Sequence, residues 1–288
     1  MSFKGFHQLS KNELESLKKV ELEILKVVVS IIDSLGLSYY AVGGTALGAY
    51  KYSGFIPWDD DIDIAMPRED FMIFVKEAPK LLPNHLSLQS LYTDKNYTLG
   101  VAKVRDERTT FFDAYTAQYD VSHGVFIDIF PIDFCGENIP SNSIKYKMRE
   151  NKIAYSNYFK PDNIKLKNRI VSFFSKLFLL FLSPYKCALK NDLYLASVNK
   201  KYNNSPLSFM RIEQHRSEFF KENNKLDFDG LSLRVPNKIE EYLNNCYGDV
   251  SIDPPVEKQY PHHFVLAFDL NKSYKEYRFK DGMVVPKE

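Results

Sequence analysis

In the run Trp58-Asp59-Asp60-Asp61-Ile62-Asp63-Ile64, carboxylates and isoleucines alternate with the period of an extended chain. Side chains of a strand point to opposite faces in turn, so Asp59, Asp61 and Asp63 are expected on one face and Asp60 with the isoleucines on the other. Carboxylates gathered that closely repel each other unless a proton or a cation lies between them. A hard divalent ion meets that need, because Mg²⁺ takes one or two carboxylates and completes its shell with substrate phosphates. The competing reading is a solvated acidic turn.

The surroundings favour the ion. Gly43-Gly44-Thr45 stands between a short strand expected over Ser38 to Val42 and a short helix expected over Ala46 to Lys51. Free amides and the helix dipole at such a junction attract phosphate, and glycine lets it approach. A strand, a Gly-Gly-Thr turn, a short helix and then alternating Asp and Ile together resemble the pattern of the nucleotidyltransferase superfamily. That superfamily takes a third carboxylate from a neighbouring strand, and Asp128 in the apolar run Phe126-Ile127-Asp128-Ile129-Phe130 is the candidate. A lone acid there is costly without a partner, unless it faces solvent on an edge strand. Asp133, after Pro131, reads as a turn or cap residue. Lys103 and Arg105 share a strand face and are candidates to clamp phosphate oxygens, solvation being the alternative.

The fold class expected is α+β, a mixed sheet carrying the acids with helices against it. Ser10 and Glu13 form a capping-box signature, and apolar residues then recur at helical spacing to Gly36. A second helix is expected from Pro67 to about Leu82. Strands are expected over Leu86 to Leu91, Leu99 to Val104, Thr109 to Tyr115 and Val125 to Phe130, the last ending at Pro131. The chain is read as a single domain over 1–288 with a basic helical insertion at about 141–204. Between 141 and 203, 13 basic residues face 3 acidic ones, an excess of +10 that leaves −9 elsewhere against an overall net charge of +1.

A balanced total charge gives no global attraction to nucleic acid, and the basic residues of the insertion are interleaved with apolar ones, so a nucleic-acid partner is not expected. The three cysteines are scattered and form no CxxC pair, which points to a reducing compartment. With a polar N-terminus, the expected location is the cytoplasm. The segment Ile170 to Leu182 is too short to span a bilayer and contains Lys176; it is read as a buried helix or one lying at the membrane surface.

Two blocks resemble the LicD family closely. They are Ala41-Val42-Gly43-Gly44-Thr45-Ala46-Leu47-Gly48 with Gly54-Phe55-Ile56-Pro57-Trp58-Asp59-Asp60-Asp61-Ile62-Asp63-Ile64, and His123-Gly124-Val125-Phe126-Ile127-Asp128-Ile129-Phe130-Pro131. A softer third match is Tyr247-Gly248-Asp249 with Pro254-Pro255. The resemblance implies a transferase dependent on Mg²⁺ (or Mn²⁺) that moves a phospho-alcohol, most often phosphocholine, from a CDP-activated donor such as CDP-choline. The implied acceptor is a sugar hydroxyl of a cell-surface glycan, a teichoic acid or lipopolysaccharide precursor. Asp61 and Asp63 would be metal ligands and Asp128 the third acid. Substrate contacts would fall to Gly43, Gly44, Thr45, Lys103 and Arg105, with Trp58 offering an aromatic face to choline or packing under the acidic loop. His123 is a candidate acid or base, and His262 and His263 candidate phosphate contacts; each is otherwise an ordinary structural histidine. If the acceptor is lipid-linked, the basic insertion would meet the anionic inner membrane surface. The rival functions are a nucleotidyltransferase attacking an NTP α-phosphate and a non-catalytic glycan-binding protein.

Overall fold

The computed structural model describes residues 6–154, 156, 180–210, 213–222 and 224–287. The first long helix, α1 (Lys11–Ser34), forms for the reason its sequence gives: the Ser10 hydroxyl accepts the Glu13 N–H, and the Glu13 carboxylate accepts the Ser10 N–H. Such a cap contributes about 1 kcal/mol. Leu17, Ile24, Leu25, Val28 and Ile32 then bury one face of α1 in the main core.

Next come β1 (Tyr40–Ala41), α2 (Gly43–Tyr52), β2 (Asp63–Pro67) and α3 (Arg68–Glu77). Then follow β3 (Leu86–Gln89), β4 (Ala102–Asp106), β5 (Thr110–Asp113) and the long β6 (Val125–Cys135). The mixed sheet runs β1-β2-β6-β4-β3, with β2 and β6 parallel and the other pairs antiparallel. The architecture is thus α+β, as the sequence implied. β6 is a central strand, so Asp128 is not at an edge.

Four local expectations change. The acidic run is extended only from Asp63 onward; Asp59 to Ile62 form an irregular approach, after a turn in which the Asp59 N–H bonds the Ile56 carbonyl at 3.0 Å. Helix α2 starts at Gly43, so both glycines lie inside its first turn. Helix α3 stops at Glu77, where a 3₁₀ turn over Ala78–Lys80 contains Pro79. Finally, β6 runs through Pro131. The Asp128 N–H faces β2, donating to the Ile62 carbonyl at 2.8 Å, so by alternation residue 131 faces the other side. There Pro131 falls between the last β4 pair, at Ile129, and the first pair with β7 (Leu207–Met210), at Asp133, where no ladder N–H is required.

Asp133 is therefore not a turn residue but a buried one in a strand. It accepts a two-pronged bond from Arg68, Nε at 2.8 Å and Nη2 at 2.6 Å, while Arg68 Nη1 reaches Asp192 Oδ1 at 2.8 Å. Asp192 lies on α5 (Pro184–Lys201), which packs against α4 (Ile144–Ala154) and against β6. These two helices belong to the basic segment. Most of the apolar stretch 170–182 lies outside the described residues; of its end, Leu180 and Phe181 are 63% and 91% exposed. Among the described residues no helix is long and apolar enough to cross a membrane.

Removing the guanidinium would strand two buried carboxylates. Arg68→Leu should therefore lower unfolding stability by about 3–5 kcal/mol, read from urea denaturation, with Asp192→Asn costing less.

Candidate active site

Helix α2 opens with Gly43 at φ +58°, a left-handed conformation that glycine adopts without strain. A Cβ on Gly44 would lie 2.3 Å from Asp59 Oδ2, so the helix N-terminus meets the acidic loop at a distance only glycine allows. The positive end of the helix dipole faces carboxylates there. One turn in, buried Thr45 accepts the Asp63 N–H at 2.8 Å through Oγ1, fixing where β2 begins.

Strand pairing then assembles the site. In the parallel β2–β6 pair Asp63 is the register partner of Asp128, and in the antiparallel β4–β6 pair Lys103 is the register partner of the same Asp128. Register partners share a face and adjacent strands lie about 4.8 Å apart, so Asp63, Asp128 and Lys103 form a row across three strands. Lys103 Nζ is 2.6 Å from Asp128 Oδ1 and 3.4 Å from the centroid of the Phe126 ring. Burial pulls the Lys103 pKa down and Asp128 pushes it back up.

Asp59, Asp60 and Asp61 place carboxylate oxygens within 4.8 Å of one another. Asp60 is the one outside the cavity lining, a placement set by the irregular loop and not by strand alternation. It accepts the backbone N–H groups of His262 at 2.9 Å and His263 at 3.0 Å, and His263 Nδ1 lies 3.4 Å from it. Burial alone would raise Asp60, but His263 and the two amides hold its carboxyl below the usual range. Burial likewise opposes charge on His263, yet Asp60 outweighs it and the imidazole is pushed up to about 10. Burial, then Asp61 and Asp60, push the Asp59 carboxyl up to about 8; burial also raises Asp61. Under the loop, buried Glu21 of α1 is raised well above the carboxylate range by burial and by the three aspartates, while Lys18 Nζ donates to the Ile56 and Pro57 carbonyls at 2.8 and 2.9 Å.

These groups line a cavity of about 990 Å³. Gly44, Asp59, Asp61, Asp63, Asp128 and Lys103 lie on its floor side, and Trp58 lines it too, edge-on to Tyr52 with centroids 6.3 Å apart. The lining also includes Tyr146 and Glu150 of α4 and Asn191 of α5. Gly43 and Thr45 stand behind the lining rather than on it.

Two sequence candidates lie elsewhere. Arg105 was expected to clamp phosphate beside Lys103, but it is 1% exposed, donates to Gln89 Oε1 at 2.8 Å and the Gly124 carbonyl at 2.7 Å, and is not part of the cavity lining. His123 was a candidate acid or base. It stacks on Phe112 at 4.1 Å, contacts the Tyr119 carbonyl at 3.1 Å through Nε2, and burial then Arg105 pull it down to about 3, so it is neutral near pH 7 and away from the cavity. The sequence reading missed Asp113 and Tyr115, which line the cavity; Tyr247, Asp249 and Pro254 of the softer third block, given no site role from sequence, line it as well. Asp113 ends a strand as Asp63 begins one, but nothing local marked it as facing the acids.

A short Gly-Gly helix meeting acids on a mixed sheet is the arrangement of a nucleotidyltransferase-type fold. The family profile described as LicD/FKTN/FKRP, nucleotidyltransferase domain, matches residues 36–173. Lipopolysaccharide cholinephosphotransferase LicD of Haemophilus influenzae is 30% identical over 278 residues, 91% of this chain and 100% of that protein. Human ribitol 5-phosphate transferase FKRP is 26% identical over 109 residues, 38% of this chain and 19% of that protein. An uncharacterized protein of Rickettsia typhi, RT0683, is 27% identical over 195 residues, 67% of this chain and 58% of that protein. The chain belongs to the LicD family.

The Thr45 hydroxyl is the acceptor for a buried backbone N–H at the start of β2. Thr45→Val, nearly isosteric, should cost about 1–3 kcal/mol in denaturant unfolding, while Thr45→Ser should retain most of that stability.

Proposed function

We propose that this chain is a phosphotransferase that moves a phospho-alcohol, phosphocholine from CDP-choline, onto a sugar hydroxyl of a cell-surface glycan and releases CMP. The observation that carries the proposal is the row Asp63, Asp128, Lys103 beside Asp61 in one cavity, in a chain that matches a cholinephosphotransferase over 91% of its own length. The cavity's 990 Å³ suits a ligand of that size, since small-molecule sites run to about 1,000 Å³. The whole chain acts as one catalytic domain, with α4 and α5 contributing Tyr146, Glu150 and Asn191 to the cavity lining.

The donor set fits a hard divalent cation. The acids on the cavity lining, Asp59, Asp61, Asp63 and Asp128, offer only carboxylate oxygens; Asp59 and Asp61 cluster with Asp60, Asp63 is the register partner of Asp128, and the close approach of Gly44 to Asp59 is a cradle that a methyl group would fill. Asp61 and Asp63 would hold Mg²⁺ or Mn²⁺, with Asp128 as third acid and Asp59 beside them. When bound, such an ion neutralises charge on a diphosphate.

The chain's own groups do the rest. The α2 N-terminus, through the Gly44 amide on the cavity lining, orients the donor diphosphate. Asp128, held by Lys103, accepts the hydrogen bond of the sugar hydroxyl and takes its proton as the oxygen attacks the choline-bearing phosphorus in line. A P–O bond forms, the P–O bond to CMP breaks, and Lys103 faces the equatorial oxygens. Trp58 offers its ring to the quaternary ammonium in a cavity rich in negative charge. For a lipid-linked acceptor, exposed Leu180 and Phe181 on the basic segment support docking at an anionic membrane surface. Equal co-sedimentation with anionic and neutral vesicles would remove that part.

Incubation with labelled CDP-choline, Mg²⁺ and cell-envelope glycan should yield CMP and labelled glycan; pyrophosphate release from CTP instead would mark a nucleotidyltransferase. Asp61→Asn should slow turnover about 100-fold or more. Gly44→Ala should cost about 100-fold at unchanged far-ultraviolet circular dichroism, since its methyl displaces Asp59.

A further inference from the structure

A second cluster of metal-ligating side chains lies behind α2, outside the cavity lining. Glu213 and His215 are two apart on β8 (Glu213–Arg216) and so share a face, and Cys246 meets them from α6 (Ile239–Tyr247). Their ligand atoms all lie within 4.8 Å of one another. One imidazole nitrogen, one sulfur and one carboxylate oxygen form a set that zinc-class ions take, with water in a fourth position.

A second observation points to a ligand. His215 is 6% exposed, and its Nε2 is buried with no hydrogen-bond partner among the described residues, 3.8 Å from Glu213 Oε2. A buried polar atom left in that state costs free energy that a bound ion would recover.

The cluster is also wired to the cavity. The Gly43 N–H donates to the Tyr242 hydroxyl at 3.5 Å, and that hydroxyl in turn hydrogen-bonds the Cys246 sulfur. The next residue, Tyr247, lines the cavity, its hydroxyl 3.6 Å from where a Cβ on Gly43 would lie.

We infer that Glu213, His215 and Cys246 form a binding site for a zinc-class divalent ion that pins α6 to β8 and so positions Tyr242 and Tyr247 at the start of α2. On binding, the Cys246 thiol releases its proton to solvent and its thiolate sulfur donates to the ion, with no change of oxidation state. The inference does not depend on the donor or acceptor proposed above.

Cobalt serves as a coloured probe. Chelator-treated protein in excess Mg²⁺, titrated with Co²⁺, should develop a thiolate-to-cobalt charge-transfer band that saturates at one ion per chain and is bleached by Zn²⁺. Cys246→Ser should abolish the band and Asp61→Asn should keep it. Glu213→Gln, at a solvent-facing position where folding is not at stake, should weaken cobalt binding about 10-fold or more. Added Zn²⁺ should raise the thermal midpoint of the wild type and not of Cys246→Ser. A wild type with no thiolate band at one equivalent, a band undiminished in Cys246→Ser, or cobalt affinity unchanged in Glu213→Gln would each overturn the site.

Discussion

Repulsion among carboxylates is the constraint around which the rest of the molecule is arranged. Asp59, Asp60, Asp61, Asp63 and Asp128 converge with buried Glu21 behind them, and a chain left to itself would not hold them so close. The structure counters the repulsion with long-range cations and dipoles. Lys103 pairs with Asp128, His263 with Asp60, Lys18 braces the loop carbonyls, and the N-terminus of α2 faces Asp59. Asp59 and Asp61 still carry raised pKa values, so the compensation is partial. That residual unfavourable charge is what favours a divalent cation on our reading of the site.

Parallel pairing of β2 and β6 makes the convergence possible. Strands paired in parallel need a crossover, and here the intervening chain includes α3 and strands β3 to β5 before β6 returns beside β2. A one-residue slip between β2 and β6 would turn Asp128 from the cavity into the core. The register is secured by Ile64, Ile127 and Ile129, all fully buried, which cannot exchange places with an acid without large cost. The apolar residues between the aspartates thus fix the geometry as firmly as the aspartates define the chemistry.

The same distinction explains what was legible in the sequence. The Gly-Gly-Thr junction, the Asp61/Asp63 spacing and the acid in an apolar strand are local patterns, and of these Gly44, Asp61, Asp63 and Asp128 line one cavity while Gly43 and Thr45 stand behind it. Asp133 was misread, Arg105 is neither a cavity clamp nor solvated, and His123 follows its structural alternative, because their environments come from distant chain segments. Arg105 meets Gln89 and Gly124, His123 meets Phe112, and Asp133 meets Arg68. A two-residue spacing puts Lys103 and Arg105 on one face of β4, but it cannot say that only Lys103 reaches the cavity. Glu21 was hidden for a similar reason: on the helical repeat of α1 it is one polar residue among many, and its burial depends on the acidic loop packing over it.

The ion triad Arg68, Asp133 and Asp192 has a different logic from the acids of the cavity. Buried charges of this kind contribute little net stability compared with well-packed apolar residues, because desolvation offsets most of their attraction. Their geometry, however, is demanding: the planar fork of Arg68 satisfies both oxygens of Asp133 on β6 and one of Asp192 on α5. An apolar contact at that point would let α5 slide along β6, whereas the triad admits one docking position. Because α4 and α5 contribute Tyr146, Glu150 and Asn191 to the cavity lining, that docking position helps to set the shape of the cavity. On the reading proposed above, the reacting groups belong to the sheet, and the two helices add to the shape of the cavity. The helices' own residues, Tyr146, Glu150 and Asn191, can then vary without disturbing the row of charges on β2, β6 and β4.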